Sequence, residues 1–381
     1  MIPYGKHNID DADIAAVVDV LKNEFLTQGK QVPAFERALC EYTGASHAVA
    51  VNSGTSGLHI ACLAAGIEAG DIVWTVPNSF AASANCALYC GASVDFVDID
   101  PDTRNLSPAL LQEKLHHAAK QKALPKALVV VHFAGSSCDM RQIADIVKPY
   151  NITLIEDGAH ALGGEDFDGN KIGGSNCSSM TVLSFHPVKS ITTAEGGAVL
   201  TNHADLAQKL RLYASHGITR EKELLPAGHS DEAWYYAQQC LGYNYRLSDL
   251  HAALGLAQLK RLDSFIHARR KKAEYYHKAL AELPVIRPPG NIRSAWHLYV
   301  IELLHHDRKQ VFEALRNAGI GVNVHYIPIH WHPYYQKLGF AQGQYPASEK
   351  YYQRAITLPL YAELTADMQD EVIRQLKEVL M

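Results

Sequence analysis

The sequence predicts an α/β protein: a large domain on a mostly parallel sheet with helices on both faces, then a smaller C-terminal α+β domain. Three observations carry this. Short apolar runs alternate with helix-spaced segments from residue 47 to residue 201. Ala127–Val131 is apolar throughout, as a strand covered on both faces must be. After Arg246 the short alternating pieces give way to one long helical pattern.

In order, Asp10 to Asn23 carries Ile14, Val17, Val18 and Leu21 at helical spacing, with Asp10 or Asp11 as its cap. Leu26-Thr27-Gln28-Gly29-Lys30 is a loop, and Val32 to Tyr42 a second amphipathic helix. His47 to Val51 is a buried strand running through Asn52-Ser53-Gly54-Thr55-Ser56-Gly57 into the small-residue helix Leu58 to Ala65. Further strands are expected at Ile72 to Val76, Ser93 to Val97, Ala127 to Val131, Ile152 to Glu156, Met180 to Phe185 and Ala198 to Thr201. Helices between them fall at Phe80 to Tyr89, after Ser107 with Pro108 in the first position, and at Met140 to Lys148. One long helix is expected from Ser248 to about Leu283, ended by Pro284. Strands at His297 to Leu303 and Gly321 to Tyr326 follow, with helices at Arg308 to Ala318, Ser348 to Ala355 and Ala366 to Val379. The expected division is 1–250, including the N-terminal helical segment, and 251–381.

Composition narrows the function. With 35 basic and 40 acidic residues the net charge is −5, which argues against nucleic acid or an anionic membrane as partner. No apolar run is long enough to span a bilayer, and Met1 to Lys6 does not read as a signal peptide, so a cytoplasmic protein is expected. The cysteines number seven, with no Cys-x-x-Cys pair, so no disulfide framework is expected. Cys86 and Cys90, one helical turn apart, read as small buried residues.

The chemistry-bearing stretches lie at strand ends, where open parallel sheets bind ligands. The strand ending in Ser184-Phe185-His186-Pro187-Val188-Lys189 delivers a lysine into apolar surroundings, with glycines at 196 and 197 beyond. A desolvated lysine is more readily neutral, and a neutral amine forms Schiff bases with carbonyls. The plainer alternative is a snorkelling surface lysine. Gly54 and Thr55 open a helix whose amides and hydroxyls suit an anion, or make only a capped turn. Asp157 ends an apolar strand and needs a cation, such as a protonated pyridine nitrogen, unless it is a structural cap. His160 is placed to bond a ligand hydroxyl, or is simply a satisfied polar group. Ser184, five residues before Lys189, puts a phosphate ligand on the same loop. Gly242-Tyr243-Asn244-Tyr245-Arg246 suits an anion, or leads into a cap at Ser248. Phe80 stacks on a ring or packs in the core. A phosphate cradle, a pyridinium partner and a Schiff-base lysine together are what pyridoxal 5'-phosphate needs from a protein.

These stretches resemble, over essentially the whole chain, the sugar-nucleotide aminotransferases of the DegT/DnrJ/EryC1 group, within fold-type I pyridoxal-phosphate enzymes. The likeness rests on Leu26-Thr27-Gln28-Gly29, Asn52-Ser53-Gly54-Thr55-Ser56, Glu156-Asp157-Gly158-Ala159-His160, Ser184-Phe185-His186 with Lys189, Glu195-Gly196-Gly197-Ala198 and Gly242-Tyr243-Asn244-Tyr245-Arg246. The run from Phe185 to Glu195 and Val324-His325-Tyr326-Ile327-Pro328-Ile329 are most similar to the pseudaminic-acid branch. The resemblance implies amino transfer from L-glutamate to C4 of a UDP-linked 4-keto-6-deoxy-N-acetylhexosamine, with ping-pong kinetics. It implies that Lys189 carries the cofactor, that Asp157 pairs with its ring nitrogen, and that Ser184 with Gly54 and Thr55 holds its phosphate. Phe80 and Ala159 are expected on the two ring faces, and Tyr4, Thr27, His325 and Tyr326 on the sugar nucleotide. Asn244 is expected to reach the phosphate of a neighbouring subunit in a homodimer. Gly158 stands where many relatives carry alanine, and Pro187 where a small residue is common; only the second is expected to matter, at the turn before Lys189.

Rival readings remain. Another nucleotide-linked keto sugar is one. A sugar dehydratase on the same cofactor is another, but those relatives replace the lysine by histidine. A non-catalytic regulator would want a DNA-binding module or basic arm, and none is visible. A metal hydrolase would use His325, His330 and His332, but the chain has 20 histidines and no acidic residue stands near these in sequence.

Overall fold

The structure is a computed structural model that describes residues 1–229 and 232–381. Strand β1 is Ile2–Pro3, and helices α1 (Asp11–Asn23) and α2 (Gln31–Thr43) follow. Asp10 caps α1 by accepting the Asp13 amide, while Asp13 accepts the Asp10 amide in return. The large sheet is built from β2 (His47–Val51), β3 (Ile72–Thr75), β4 (Ser93–Phe96), β5 (Ala127–Val131), β6 (Thr153–Asp157), β7 (Met180–Ser184) and β8 (Gly197–Thr201). Its spatial order is β2-β8-β7-β6-β5-β3-β4. All pairings are parallel except those of β8, which runs against both β2 and β7. The expected mostly parallel sheet is therefore present, with one reversed strand.

Helices α3 (Gly54–Ala64), α4 (Ala82–Tyr89), α5 (Pro108–Gln121), α6 (Met140–Val147) and α7 (Ala204–Ala214) connect and cover it. Ser107 caps α5 ahead of Pro108, as its sequence predicts. Both faces are covered, which is why β5 needs no polar residue. Ala127 and Val129 join the core formed with α3 and α4, while Leu128 and Val130 join the core formed with α5 and α6. None of the five β5 residues is more than 3% exposed. Each such valine or leucine contributes about 1.5–3 kcal/mol by burial.

The second half begins with a hairpin of β9 (Ile218–Thr219) and β10 (Ala237–Gln238). The long helix expected from Ser248 is in fact two, α8 (Asp249–Leu259) and α9 (Leu262–Ala279). Arg261 breaks the run: its guanidinium pairs with Asp10 at 2.9 Å, bonds the Asn8 side chain at 2.8 Å, and also engages Asp13. No glycine or proline marks this break, because a side-chain anchor makes it. Beyond lie β11 (Val285–Ile286), β12 (Tyr299–Leu303), α10 (Arg308–Asn317), β13 (Ile320–Gly321), α11 (Pro333–Gln336), α12 (Pro346–Arg354), β14 (Ala355–Leu358) and α13 (Ala366–Leu380). Strands β11, β12 and β14 form an antiparallel sheet covered by α9, α10 and α13. The expected strand Gly321 to Tyr326 is only the short β13, which pairs with β1; the rest is irregular chain. No helix among the described residues is long and apolar enough to cross a membrane.

Candidate active site

A cavity of about 490 Å³ opens where β6 and β7 end and α3 begins. Asp157 is the last residue of β6 and Ser184 the last of β7. Side chains alternate along a strand. Glu156 therefore turns to the buried His132, with Nε2 at 2.6 Å, and Asp157 lines the cavity.

Because β8 is reversed, residues 185–196 must turn back on themselves between β7 and β8. The Phe185 carbonyl accepts from the Thr193 amide at 3.0 Å and the Thr192 hydroxyl at 3.1 Å, and Phe185 itself is buried against Phe35. This closed loop carries Lys189 into the cavity. Burial pulls the Lys189 amine down to about 8, against the opposing pull of the Asp157 charge. At neutral pH a usable fraction is thus unprotonated, unlike that of an ordinary lysine.

The start of α3 presents amides of the kind that suit an anion. Ser53 caps it by accepting the Ser56 amide. The Gly54 and Thr55 amides, first in the helix, have no intrahelical acceptor by position. A Cβ on Gly54 would come within 2.9 Å of Ser184 Cβ, and one on Gly197 within 2.7 Å of the Ser53 and Gly54 backbone. Two glycines thus let the helix start, the end of β7 and the start of β8 close together.

The Asp157 carboxylate is 6% exposed and accepts from the Ser83 hydroxyl at 2.6 Å and the Ala159 amide at 3.1 Å. His160 Nδ1 accepts from the Ala134 amide at 3.3 Å, and its Nε2 lies 3.0 Å from the Tyr326 hydroxyl. Burial, then the Lys189 and His325 charges, push His160 well below the usual histidine range, so it stays neutral. Burial, then Lys189, brings His325 down to about 3; its Nδ1 lies 2.8 Å from the Thr357 hydroxyl and its ring 5.3 Å from that of Tyr4. Burial raises both Tyr4 and Tyr326 above the usual phenol range. Phe80 is 62% exposed on the cavity wall, so it does not pack in the core.

The cavity thus gathers Tyr4, Gly54, Thr55, Phe80, Asp157, His160, Ser184, Lys189, His325 and Tyr326 from segments far apart in sequence. Thr27 and Asn244 are not among its walls. Thr27 is exposed on a loop pinned by Asp249, which accepts the Gly29 and Gln31 amides at 2.8 Å each. Asn244 is exposed and bridges to Ser215 through its backbone. His186 and Glu195 also line the cavity; neither was expected there, although their place in the lysine loop is the signal that points to them. Ser79 lines it too, and nothing in sequence marked Ser79 or Ser83. His330, weighed as a metal ligand, bonds Glu349 at 2.8 Å, an acid that folding brings near although none is close in sequence. Among the described residues no three His, Cys, Asp or Glu side chains converge as a metal site.

A lysine lowered to about 8, an anchored carboxylate and a glycine-lined cradle at strand tips fit pyridoxal 5'-phosphate group for group. The fold and site define a pyridoxal-phosphate-dependent transferase of fold-type I, and its cofactor is pyridoxal 5'-phosphate. More narrowly, the chain belongs to the DegT/DnrJ/EryC1/StrS aminotransferase family, whose model matches residues 7–377. It is 40% identical over 370 residues to a UDP-4-amino-4,6-dideoxy-N-acetyl-beta-L-altrosamine transaminase of Campylobacter jejuni, covering 96% of this chain and 93% of that one. It is 37% identical to the spore coat polysaccharide biosynthesis protein SpsC of Bacillus subtilis, over 99% of this chain and 97% of that one. The structure of Helicobacter pylori PseC, an aminotransferase involved in the biosynthesis of pseudoaminic acid, superposes with a TM-score of 0.89 at 32% identity, covering 100% of this chain and 99% of that one.

Proposed function

We propose that this aminotransferase moves an amino group from L-glutamate to C4 of a UDP-linked 4-keto-6-deoxy-N-acetylhexosamine, giving UDP-4-amino-4,6-dideoxy-N-acetyl-β-L-altrosamine. One observation carries the reading: a single cavity holds the Lys189 amine, the Asp157 carboxylate and the Ser184 hydroxyl, in a chain 40% identical to a transaminase named for that product. When bound, pyridoxal phosphate supplies an electron sink for the carbon that loses its proton. Lys189 holds the cofactor covalently. Once freed by the incoming amine, Lys189 Nζ would carry the proton from the donor carbon to the cofactor within that half-reaction, and would run the same transfer in reverse toward the sugar in the other. Asp157 keeps a proton on the ring nitrogen. Ser184 and the Gly54 and Thr55 amides hold the phosphate, and Phe80 and Ala159 flank the ring. His160 lines the cofactor site, its two ring nitrogens engaged by the Ala134 amide and the Tyr326 hydroxyl.

Tyr4, His325 and Tyr326 contact the sugar nucleotide. Thr27 and Asn244, which lie away from this chain's own cavity, serve the site of a second copy, so the working unit is a homodimer. The reading puts the enzyme in the cytoplasm with its charged substrate. It also divides the chain into a cofactor-binding part, 1–250, and a smaller part, 251–381.

The test is a panel of UDP-, GDP- and dTDP-linked 4-keto and 3-keto sugars with glutamate, read by mass spectrometry of the amino sugar. Amine transfer to the UDP-4-keto-6-deoxy-N-acetylhexosamine is expected. Its absence, with transfer to another member of the panel, would end this substrate assignment.

A further inference from the structure

The carboxylate at the centre of the site has a hydroxyl relay behind it. Ser83 Oγ is 2.6 Å from Asp157 Oδ2, and Ser79 Oγ is 2.7 Å from Ser83 Oγ. All three side chains are buried, at 4% exposure for Ser79, 0% for Ser83 and 6% for Asp157. The direction of the relay follows from proton counting. An ionised carboxylate only accepts, so Ser83 commits its one proton to Asp157. Ser79 must then donate to Ser83. The two serines sit one helical turn apart across the start of α4. That turn is pinned from two sides, by the Cys86 thiol on the Ser83 carbonyl at 3.3 Å and by the Tyr335 hydroxyl on Asn85 at 2.6 Å.

We infer that Ser83, backed by Ser79, is a positioning residue of the transamination: it holds the Asp157 carboxylate in its anionic form and fixes which way its oxygens face. The inference rests on Asp157 being the partner of the cofactor's ring nitrogen. A proton shared between a carboxylate and a pyridine nitrogen can settle on either atom. Donors to the carboxylate favour the anion, and so favour the proton on nitrogen. Ser83 engages Oδ2 and the Ala159 amide engages Oδ1, so the plane of the carboxylate is set from both oxygens. A hydroxyl does this without cancelling the charge, as a lysine or arginine at the same place would. Ser79 strengthens the donor by polarising it. A serine that merely filled the hydrogen-bonding capacity of a buried acid would affect stability alone and leave the ring nitrogen unchanged.

The experiment uses the full-length enzyme loaded with pyridoxal phosphate labelled with nitrogen-15 in the ring. The nitrogen-15 chemical shift is followed against pH in wild type, Ser83→Ala, Ser79→Ala and Asp157→Asn, beside kcat, KM and the melting temperature. Ser83→Ala is expected to lower the ring-nitrogen pKa by about one unit or more and kcat by about 10- to 100-fold, the scale of one hydrogen bond to a charged group. KM for the nucleotide sugar stays within about twofold, because no ground-state contact is lost. Ser79→Ala moves the signal the same way by less. A wild-type nitrogen signal in Ser83→Ala, beside a displaced one in Asp157→Asn, overturns the role of Ser83 alone, whatever the melting temperature does. An unmoved signal in Asp157→Asn overturns the reading of Asp157, and this inference with it. Should Ser83→Ala fail to fold, Ser79→Ala decides: no displacement there overturns the relay.

Discussion

The Tyr326 hydroxyl lies 3.0 Å from Nε2 of His160, and the direction of that bond is determined. The Ala134 amide donates to Nδ1 of the same ring, so Nδ1 carries no proton. His160 is neutral, because burial and the nearby Lys189 charge oppose a second proton. The ring proton is therefore on Nε2, and His160 donates to Tyr326. The phenol proton of Tyr326 is left free to point into the cavity, where burial keeps it in place.

Tyr326 should accordingly act as a donor to the substrate. Tyr326→Phe is expected to lower kcat/KM for the nucleotide sugar by about 10- to 100-fold, the value of a hydrogen bond in a closed site. The glutamate half-reaction should stay within about threefold. Single-turnover kinetics of each half separate the two; an equal loss in both would mean that Tyr326 supports the cofactor instead.

Lys189→Ala should remove the visible absorption of the lysine-bound cofactor and reduce turnover to about a thousandth or less. The protein should still fold, since a half-buried lysine with a depressed pKa contributes little to the native state. Absorption spectra and circular dichroism on one sample check both halves of this prediction.

The pH dependence follows from the same amine. With its pKa near 8, Lys189 in the cofactor-free enzyme is charged below that pH and neutral above it. Capture of pyridoxal phosphate should therefore speed up about tenfold per pH unit below 8 and level off above it. An ordinary lysine would keep rising past pH 10. His325, at about 3, and His160 do not gain charge between pH 5 and 7, so neither should add an acid limb to the profile. Stopped-flow absorbance across pH 6–10 reads both.

Gly197→Ala should uncouple the cradle from the sheet. The new methyl would meet the Ser53 and Gly54 backbone at 2.7 Å, and backbone has no rotamer to yield with. A loss of about 1–3 kcal/mol is expected, with the start of α3 displaced. Cofactor affinity should fall at least about tenfold, measured by fluorescence quenching, while far-ultraviolet circular dichroism stays native.

If Asn244 completes a neighbour's site, two crippled variants should rescue each other. Mixed subunits of Lys189→Ala and Asn244→Ala form hybrids with one intact site, and random pairing should restore about a quarter of wild-type activity. No recovery after co-refolding would assign Asn244 to its own chain.

How much of this was legible in advance varied with physical cause. The parallel sheet was readable because its strands are covered on both faces, so β5 had to be apolar at every position. Asp157 and Ser184 were readable because each stands at a strand end in a recognisable run, and Lys189 because it follows Ser184 on the loop five residues on. The break at Arg261 was not, because ion pairs with Asp10 and Asp13, some 250 residues earlier, create it. The loop that replaces the expected strand Gly321 to Tyr326 was hidden because its apolar and aromatic residues pack on the cavity, not in a ladder. Ser79 and Ser83 carried no signal at all; a serine among small residues becomes meaningful only when folding puts a carboxylate 2.6 Å away.

The pairing of Ile2–Pro3 with Ile320–Gly321 bears on how the molecule comes off the ribosome. The opening strand, and α1 behind it, have their docking partners far downstream: β13 for one and α8 for the other, where Gln258 bonds Asn8 and Asp13 at 2.8 and 2.6 Å. These segments are made well before their partners and must wait for them before they settle. During that interval Val20 on α1, fully buried in the folded chain, has no internal cover. Slowing translation late in the message should therefore lengthen the exposure of this helix to chaperones and to aggregation.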